Sequence, residues 1–372
     1  MLNQELKAFE NKEILNEYAM NYMLPSLKKE QPMFKELNSK ACQRVCKEIY
    51  TSFKGFFALH KKGDKKARIP SLIEDCNIFH TIVYNQSGWI FINNETIKLN
   101  GITLTYKGNK NIDFPSLNVK EVRLKKINNK YLLDICSETD KDEPKHYEVQ
   151  NKVLAIDLGL EKLAYGIDNL GNVVTLDNKA SKTNKYFRKQ IGKLQQKLST
   201  KQKGSRRYEK LNKTRKKLYK KKNSQVTQTL HTQSKKLACM DYKTIVVGDL
   251  TVKQLMSTEG ANKKNVRRSF HESCISRFME MLKYKCIARN TEVETISERW
   301  TTQINCLTGK LFKEKVELKD RQVWLSDSIL LNRDLNAAIN ILRRYEQNHI
   351  ASMTTPLDIS DVVVRYNLAT NL

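Results

Sequence analysis

The chain has 372 residues, with 67 Lys and Arg against 40 Asp and Glu and a formal net charge of +27. That length accommodates two or three domains with adequate cores, and that charge argues against an ordinary balanced enzyme of small metabolites and for a polyanionic partner, nucleic acid foremost. No apolar run reaches the roughly 18 residues of a membrane span, the amino terminus lacks a signal-peptide pattern, and the eight cysteines form no CxxC pair, so no membrane role is expected and the expected setting is intracellular: cytoplasmic and nucleoid-associated, or nuclear in a eukaryotic host.

Phe9 to Met23 is periodic in Leu, Tyr and Met, which predicts a helix ended by Pro25. A second helix is expected from Ser39 through Leu59, with Ala41, Val45, Ile49, Phe53 and Phe56-Phe57 on one face. Its other face carries Lys40, Arg44, Lys47 and Lys54, which suits either solvent or phosphate. Cys42 and Cys46 stand at i,i+4, a spacing that can bind metal, but without a second pair a packing role is expected. From Ile78 to Cys136 short alternating apolar runs broken by Asn, Gly and Asp predict an antiparallel β region, a small barrel. Ser137 to Gln150 is polar and reads as a linker, so the first region spans 1–150.

Val153-Leu154-Ala155-Ile156 then runs into a single carboxylate, Asp157, and a second apolar run returns toward a turn at Asn169-Leu170-Gly171-Asn172. This predicts a buried strand ending in an acid, followed by a hairpin. A carboxylate there must be hydrogen-bonded, paired or bound to a cation, unless it is merely a turn residue at the surface. The next stretch, Lys182 to Lys236, holds twenty Lys and Arg against one acid, Glu209. Ile191, Leu194 and Leu198, then Tyr208, Leu211 and Leu218, then Val226, Leu230 and Leu237 recur at helical spacing, so these are packed helices with a turn at Lys201 to Ser205. Lys189, Lys193, Arg206, Arg207, Lys213, Arg215, Lys216 and Lys220 are the candidate phosphate contacts, because a surface of one sign binds polyanions by releasing their counterions.

Thr244 to Val247 is another short buried strand, closing on Gly248-Asp249-Leu250, and Arg267 to Arg289 is expected to be one amphipathic helix. The strand Val293 to Ile296 ends at Ser297-Glu298, which puts a second carboxylate at a strand terminus. Arg299 to Asp327 reads as loop, Ser328 to Tyr345 as a helix carrying Asp334, and residues 347–372 as a weakly ordered tail.

Strand with Asp, hairpin, basic helices, strand, helix, strand with Glu, loop and helix with Asp is the order of an RNase H-like nuclease core. Through Ala155-Ile156-Asp157-Leu158-Gly159, Val246-Val247-Gly248-Asp249-Leu250, Glu298-Arg299-Trp300-Thr301-Thr302-Gln303 and Asn332-Arg333-Asp334-Leu335-Asn336-Ala337-Ala338-Ile339-Asn340, the chain resembles the TnpB (OrfB) family of transposon-encoded RNA-guided endonucleases, relatives of type V CRISPR effectors and Fanzor proteins. The resemblance implies an α+β chain: a helical segment and small β-barrel over 1–150 that hold guide RNA and target DNA, then a RuvC-like α/β nuclease domain over 151–346 with a basic insert at 182–236. It also implies Asp157, Glu298 and Asp334 as catalytic residues holding two Mg²⁺ ions. Two departures stand out. The common pattern has its catalytic Glu where this chain has Gly248, and Glu298 stands where rearranged members supply it. The family's two CxxC pairs are reduced to Cys306 in a degenerate ribbon region, 299–327, so no structural zinc is expected. An actin-like ATPase, which also follows a strand with Asp-Leu-Gly, is disfavoured by the basic insert and the lack of later Gly-rich loops.

Overall fold

The computed structural model of the protein describes residues 16–71, 81–109, 111–127, 130–138, 150–249, 263–317 and 320–349. The chain divides into two compact units, Met1–Lys141 and Asp142–Leu372. None of the described helices is long and apolar enough to cross a membrane.

In the first unit, α1 (Glu17–Glu30) is capped by Asn16, whose side chain accepts from the Ala19 amide at 2.9 Å, and α2 (Ser39–Lys61) is capped by Asn38. Pro25 does not end α1 as its sequence predicts; the helix continues to Glu30. A mid-helix proline costs about 3 kcal/mol, and burial of Met20 and Leu24 against Cys46 of α2 offsets a cost of that size. Cys46 is therefore a core residue, while Val45, expected on the buried face, is exposed. The start of the expected first helix lies outside the described residues.

Among the described residues six strands follow: β1 (Ile82–Asn85), β2 (Trp89–Asn93), β3 (Thr96–Leu99), β4 (Ile102–Thr105), β5 (Asn118–Ile127) and β6 (Lys130–Glu138). They pair as two three-stranded antiparallel sheets, β1-β5-β6 and β2-β3-β4, rather than as one closed barrel among the described residues. Tyr84, Ile97, Leu99 and Val122 form their shared core. The turn between β3 and β4 is Asn100-Gly101, both at positive φ, the conformation a two-residue hairpin needs.

The second unit is built on a five-stranded sheet of order β11-β10-β7-β8-β9, made by β7 (Gln150–Asp157), β8 (Lys162–Asp168), β9 (Val173–Asp177), β10 (Tyr242–Gly248) and β11 (Glu292–Ile296). The strands β7, β10 and β11 are parallel, and β8 and β9 run antiparallel to their neighbours. The alternation of side chains sorts two cores. Leu154, Ile156, Ile245 and Val247 face α3 (Lys179–Ser199), α4 (Arg206–Ala238) and α6 (Ile275–Ile287), whereas Ala155, Ile167 and Val246 face α7 (Arg333–Asn348).

Two expected elements differ. The single helix over 267–289 is two, α5 (Lys263–Ser273) and α6, because Cys274 adopts a left-handed φ of 57°. The Asn184 side chain donates to the Glu272 carbonyl at 2.7 Å at this break, replacing a lost helical bond. The expected loop and early helix start hide a hairpin, β12 (Gln322–Ser326) and β13 (Ile329–Asn332). Asn332 then caps α7, accepting from the Asp334 and Leu335 amides at 2.9 and 3.3 Å, so the helix begins at Arg333 rather than Ser328. Of the expected linker and tail, residues 139–149 and 350–372 lie outside the described residues.

Candidate active site

The carboxyl ends of β7, β10 and β11 lie side by side, because Val247 registers with Ile156 and Gly248 with Ile296. Asp157 is the last residue of β7, and Glu298 lies just past the end of β11. At the end of β10 between them stands Gly248. A Cβ built there lies 3.0 Å from Glu298 Oε2 and 3.2 Å from Glu298 Cβ, so the Glu298 side chain occupies the space a side chain at 248 needs. Asp334 enters from the first turn of α7, the helix that packs across β7, β8, β10 and β11.

Glu298 and Asp334 act on Asp157. The Asp157 carboxyl keeps some exposure, yet burial first, then the charges of Glu298 and Asp334, push its pKa up to about 8, against a lowering by Arg333. Burial, then Asp249, pushes Glu298 up to about 7. Glu298 Oε2 is buried without a hydrogen-bond partner. Asp168, another buried acid at a strand end, shows the contrast. It accepts from the Leu170 and Asn172 amides at 3.0 and 2.8 Å, from Asn172 Nδ2 at 2.9 Å and from the Tyr242 hydroxyl at 3.2 Å. Asp168 is a satisfied turn residue, while Glu298 keeps one buried oxygen without a partner and Asp157 is raised by burial beside two acids.

Asp334 is paired with its neighbour Arg333, Nη2 to Oδ1 at 3.1 Å. Among the described residues no three His, Cys, Asp or Glu side chains are drawn close enough to hold a metal as they stand. The donor chemistry nevertheless suits a hard divalent cation, since three anionic oxygen donors share one end of the sheet and one buried oxygen is unmatched.

Both pKa shifts have one sign. A carboxyl whose folded pKa stands above its unfolded value stabilises the fold fully below about pH 4, and that contribution is lost as pH rises through about 7 and about 8. In EDTA the protein is expected to melt lower at pH 8.5 than at pH 6, and Asp157→Asn to flatten that dependence and raise the pH 8.5 melting temperature by roughly 3 °C or more. An unchanged slope in the variant contradicts this.

The segment around residues 301–306 is held by amides. Asn336 Oδ1 accepts from the Cys306 amide at 2.9 Å, and its Nδ2 donates to the Ile304 carbonyl at 2.8 Å. Asn340 donates to the Thr301 and Ile304 carbonyls at 2.8 and 2.7 Å, and Asn305 to the Leu325 carbonyl at 2.9 Å. Cys306 is fully buried in the core with α7, where burial pushes its thiol up to about 12. The sequence motif contains Asn336 and Asn340, but only the fold shows what they hold.

Of the basic candidates, Lys189, Lys193, Arg206, Arg207, Lys213, Lys216 and Lys220 are exposed on α3 and α4, and Arg215 is half-buried, donating to Asn212 at 2.8 Å. The buried stripe comprises Phe187, Ile191 and Leu198 on α3 with Val226, Leu230 and Leu237 on α4. A cavity of about 590 Å³ lined by Arg188, Tyr219, Lys222, Phe270 and Arg277 lies among these helices, with none of the three carboxylates in its lining.

Residues 134–259 match the family model OrfB_IS605, described as "Probable transposase", and residues 276–341 match that of the Cas12f1-like TNB domain. A Streptomyces pristinaespiralis protein, provisionally named an RNA-guided DNA endonuclease, is 28% identical over 185 residues, which are 48% of this chain and 44% of that protein. The match thus spans less than half of that relative. Among solved structures, a Cas12f1–sgRNA–target DNA complex aligns over 90% of this chain and 87% of its own at 13% identity and a TM-score of 0.36. A CRISPR–Cas12f ternary complex aligns over 91% and 78% at 14% identity, also with a TM-score of 0.36; both likenesses are too distant to bear on function. The two family models follow each other in chain order, the first spanning Asp157 and the second Glu298 and Asp334, and together with the curated relative they support a TnpB-family (OrfB) protein.

Proposed function

We propose that the protein is an RNA-guided, Mg²⁺-dependent DNA endonuclease of the TnpB type. The observation that carries this reading is the Glu298 side chain lying in the space over Gly248, beside the end of the strand that presents Asp157. The sheet supports it: three antiparallel strands followed by two parallel ones is the order of an RNase H-like core. Asp157, Glu298 and Asp334 would hold the metal. When bound, two Mg²⁺ ions supply a more acidic water and charge stabilisation at the leaving 3′ oxygen. The chain's own part is to fix three carboxylates at one sheet end, with Arg333 neutralising Asp334 until it serves as a ligand. The basic face of α3 and α4 offers phosphates a surface of one sign, suited to guide RNA and target DNA, while base pairing would read the sequence.

A second reading, a guided DNA-binding protein that no longer cuts, is favoured by the Arg333–Asp334 pair and the absence of a tight three-ligand cluster among the described residues. The complex copurified with RNA from its own locus separates them. Cleavage of a target plasmid library in Mg²⁺ but not in EDTA supports the nuclease. Target binding without cleavage in either supports the second reading.

No structural zinc enters this account. A zinc-selective chelator is expected to leave the melting temperature unchanged, while Asn340→Ala, which removes one donor from each of the Thr301 and Ile304 carbonyls, costs about 1 to 2 kcal/mol in a denaturant titration. Chelator-induced unfolding contradicts this.

A further inference from the structure

Glu298 sits on a loop whose shape depends on α7. Arg344, near the carboxyl end of that helix, donates from Nη1 to the Ser297 carbonyl at 2.6 Å and from Nη2 to the Arg299 carbonyl at 2.5 Å. The guanidinium thus bridges the carbonyls on both sides of Glu298. The carbonyl of Glu298 itself accepts from the Thr301 amide at 3.1 Å and from Thr301 Oγ1 at 2.8 Å. Thr301 in turn is gripped through its carbonyl by Asn340, one helical turn before Arg344. Trp300 lies between these bonds at a φ of 68°, a left-handed backbone that a tryptophan adopts only when its surroundings impose it. The loop therefore takes its form from α7, the helix whose first turn carries Asp334.

We propose that Arg344 is a positioning residue for Glu298: its planar fork bridges the Ser297 and Arg299 carbonyls and sets the carboxylate over Gly248, so that one helix fixes both Asp334 and Glu298. A guanidinium suits this task because its donors point in fixed directions, whereas a lysine ammonium is a single mobile point that cannot hold both carbonyls in the same way. Both terminal nitrogens of Arg344 are engaged by these two carbonyls, so its loss is expected to act on the geometry of a ligand already present. The inference rests on Glu298 being a metal ligand.

The test compares wild type, Arg344→Ala, Arg344→Lys and Glu298→Ala as complexes with their copurified RNA. Three readouts are taken: Mn²⁺ binding followed by electron paramagnetic resonance, the Mg²⁺ dependence of cleavage, and guide and target affinity. Arg344→Ala is expected to weaken Mn²⁺ binding at least tenfold and to shift the Mg²⁺ midpoint of cleavage upward by a similar factor, with guide and target affinity within twofold of wild type. Arg344→Lys is expected to fall between the two, and it decides the matter if the alanine variant does not fold. Wild-type Mn²⁺ binding and Mg²⁺ dependence in Arg344→Lys and in any folded Arg344→Ala overturn the proposal, provided Glu298→Ala loses both. If Glu298→Ala itself binds Mn²⁺ and cuts as wild type does, the reading of Glu298 fails and the proposal falls with it.

Discussion

Complexes carrying Glu298→Ala or Asp157→Ala are expected to bind guide RNA and target as wild type does and to cleave at least roughly 10³-fold more slowly, equivalent to about 4 kcal/mol of lost transition-state stabilisation. Both side chains stand at the ends of parallel strands on either side of β10, and their pKa values are raised by burial and by acid neighbours. An acid kept at the surface for solubility shows neither feature. Single-turnover cleavage in excess complex measures the effect without interference from product release. A Glu298→Ala complex that cuts within tenfold of wild type contradicts the assignment.

The second large effect concerns the basic helices. Arg206, Lys213, Lys216 and Lys220 are exposed on α4, so replacing all four with Gln removes charge without opening the core. If each neutralises one phosphate, the slope of log affinity against log salt becomes shallower by about 3, and affinity at moderate salt falls by about 10² to 10³. The melting temperature should stay within a few degrees, because solvated positions contribute little to stability. Binding titrations of guide RNA and of target DNA across a KCl series check this and show which partner uses the surface. An unchanged slope for both means that the charge serves another purpose.

Much of this organisation is legible in the residues. The buried run into Asp157, the hairpin turn and the two basic helices all follow from periodicity and punctuation; of the expected stripe, Ile191, Leu198, Val226, Leu230 and Leu237 are buried, while Leu194, Tyr208, Leu211 and Leu218 are only half-buried. What fails is informative. Pro25 alone predicts a stop, but propensity yields to the tertiary contacts of Met20 and Leu24. The helix break at Cys274 carries no Gly or Pro signal; it depends on Asn184, distant in sequence. The hairpin of β12 and β13 is short and bulged, and its strand ILL also suits a helix. At the site, an acid after a strand marked both Asp157 and Glu298, yet the same rule marks Asp168, and only the hydrogen bonds separate them. Arg344 left no signal, because its partners are backbone carbonyls.

The most direct test of the relocated carboxylate is to move it back. The measurement is single-turnover target cleavage by four complexes: wild type, Glu298→Gly, Gly248→Glu, and Gly248→Glu combined with Glu298→Gly. In the wild-type background a side chain at 248 collides with Glu298 and adds a further negative charge, so Gly248→Glu alone is expected to lose cleavage. Removing Glu298 leaves only the flexible end of Ile341, Cδ1 at 3.1 Å, to give way, and the account predicts that the double variant cleaves at least tenfold faster than Glu298→Gly, because the acid returns to the neighbouring strand end. If Glu298→Gly cleaves as wild type does, or if the double variant is no faster than Glu298→Gly while Gly248→Glu alone retains full activity, Glu298 does not hold the place assigned to it.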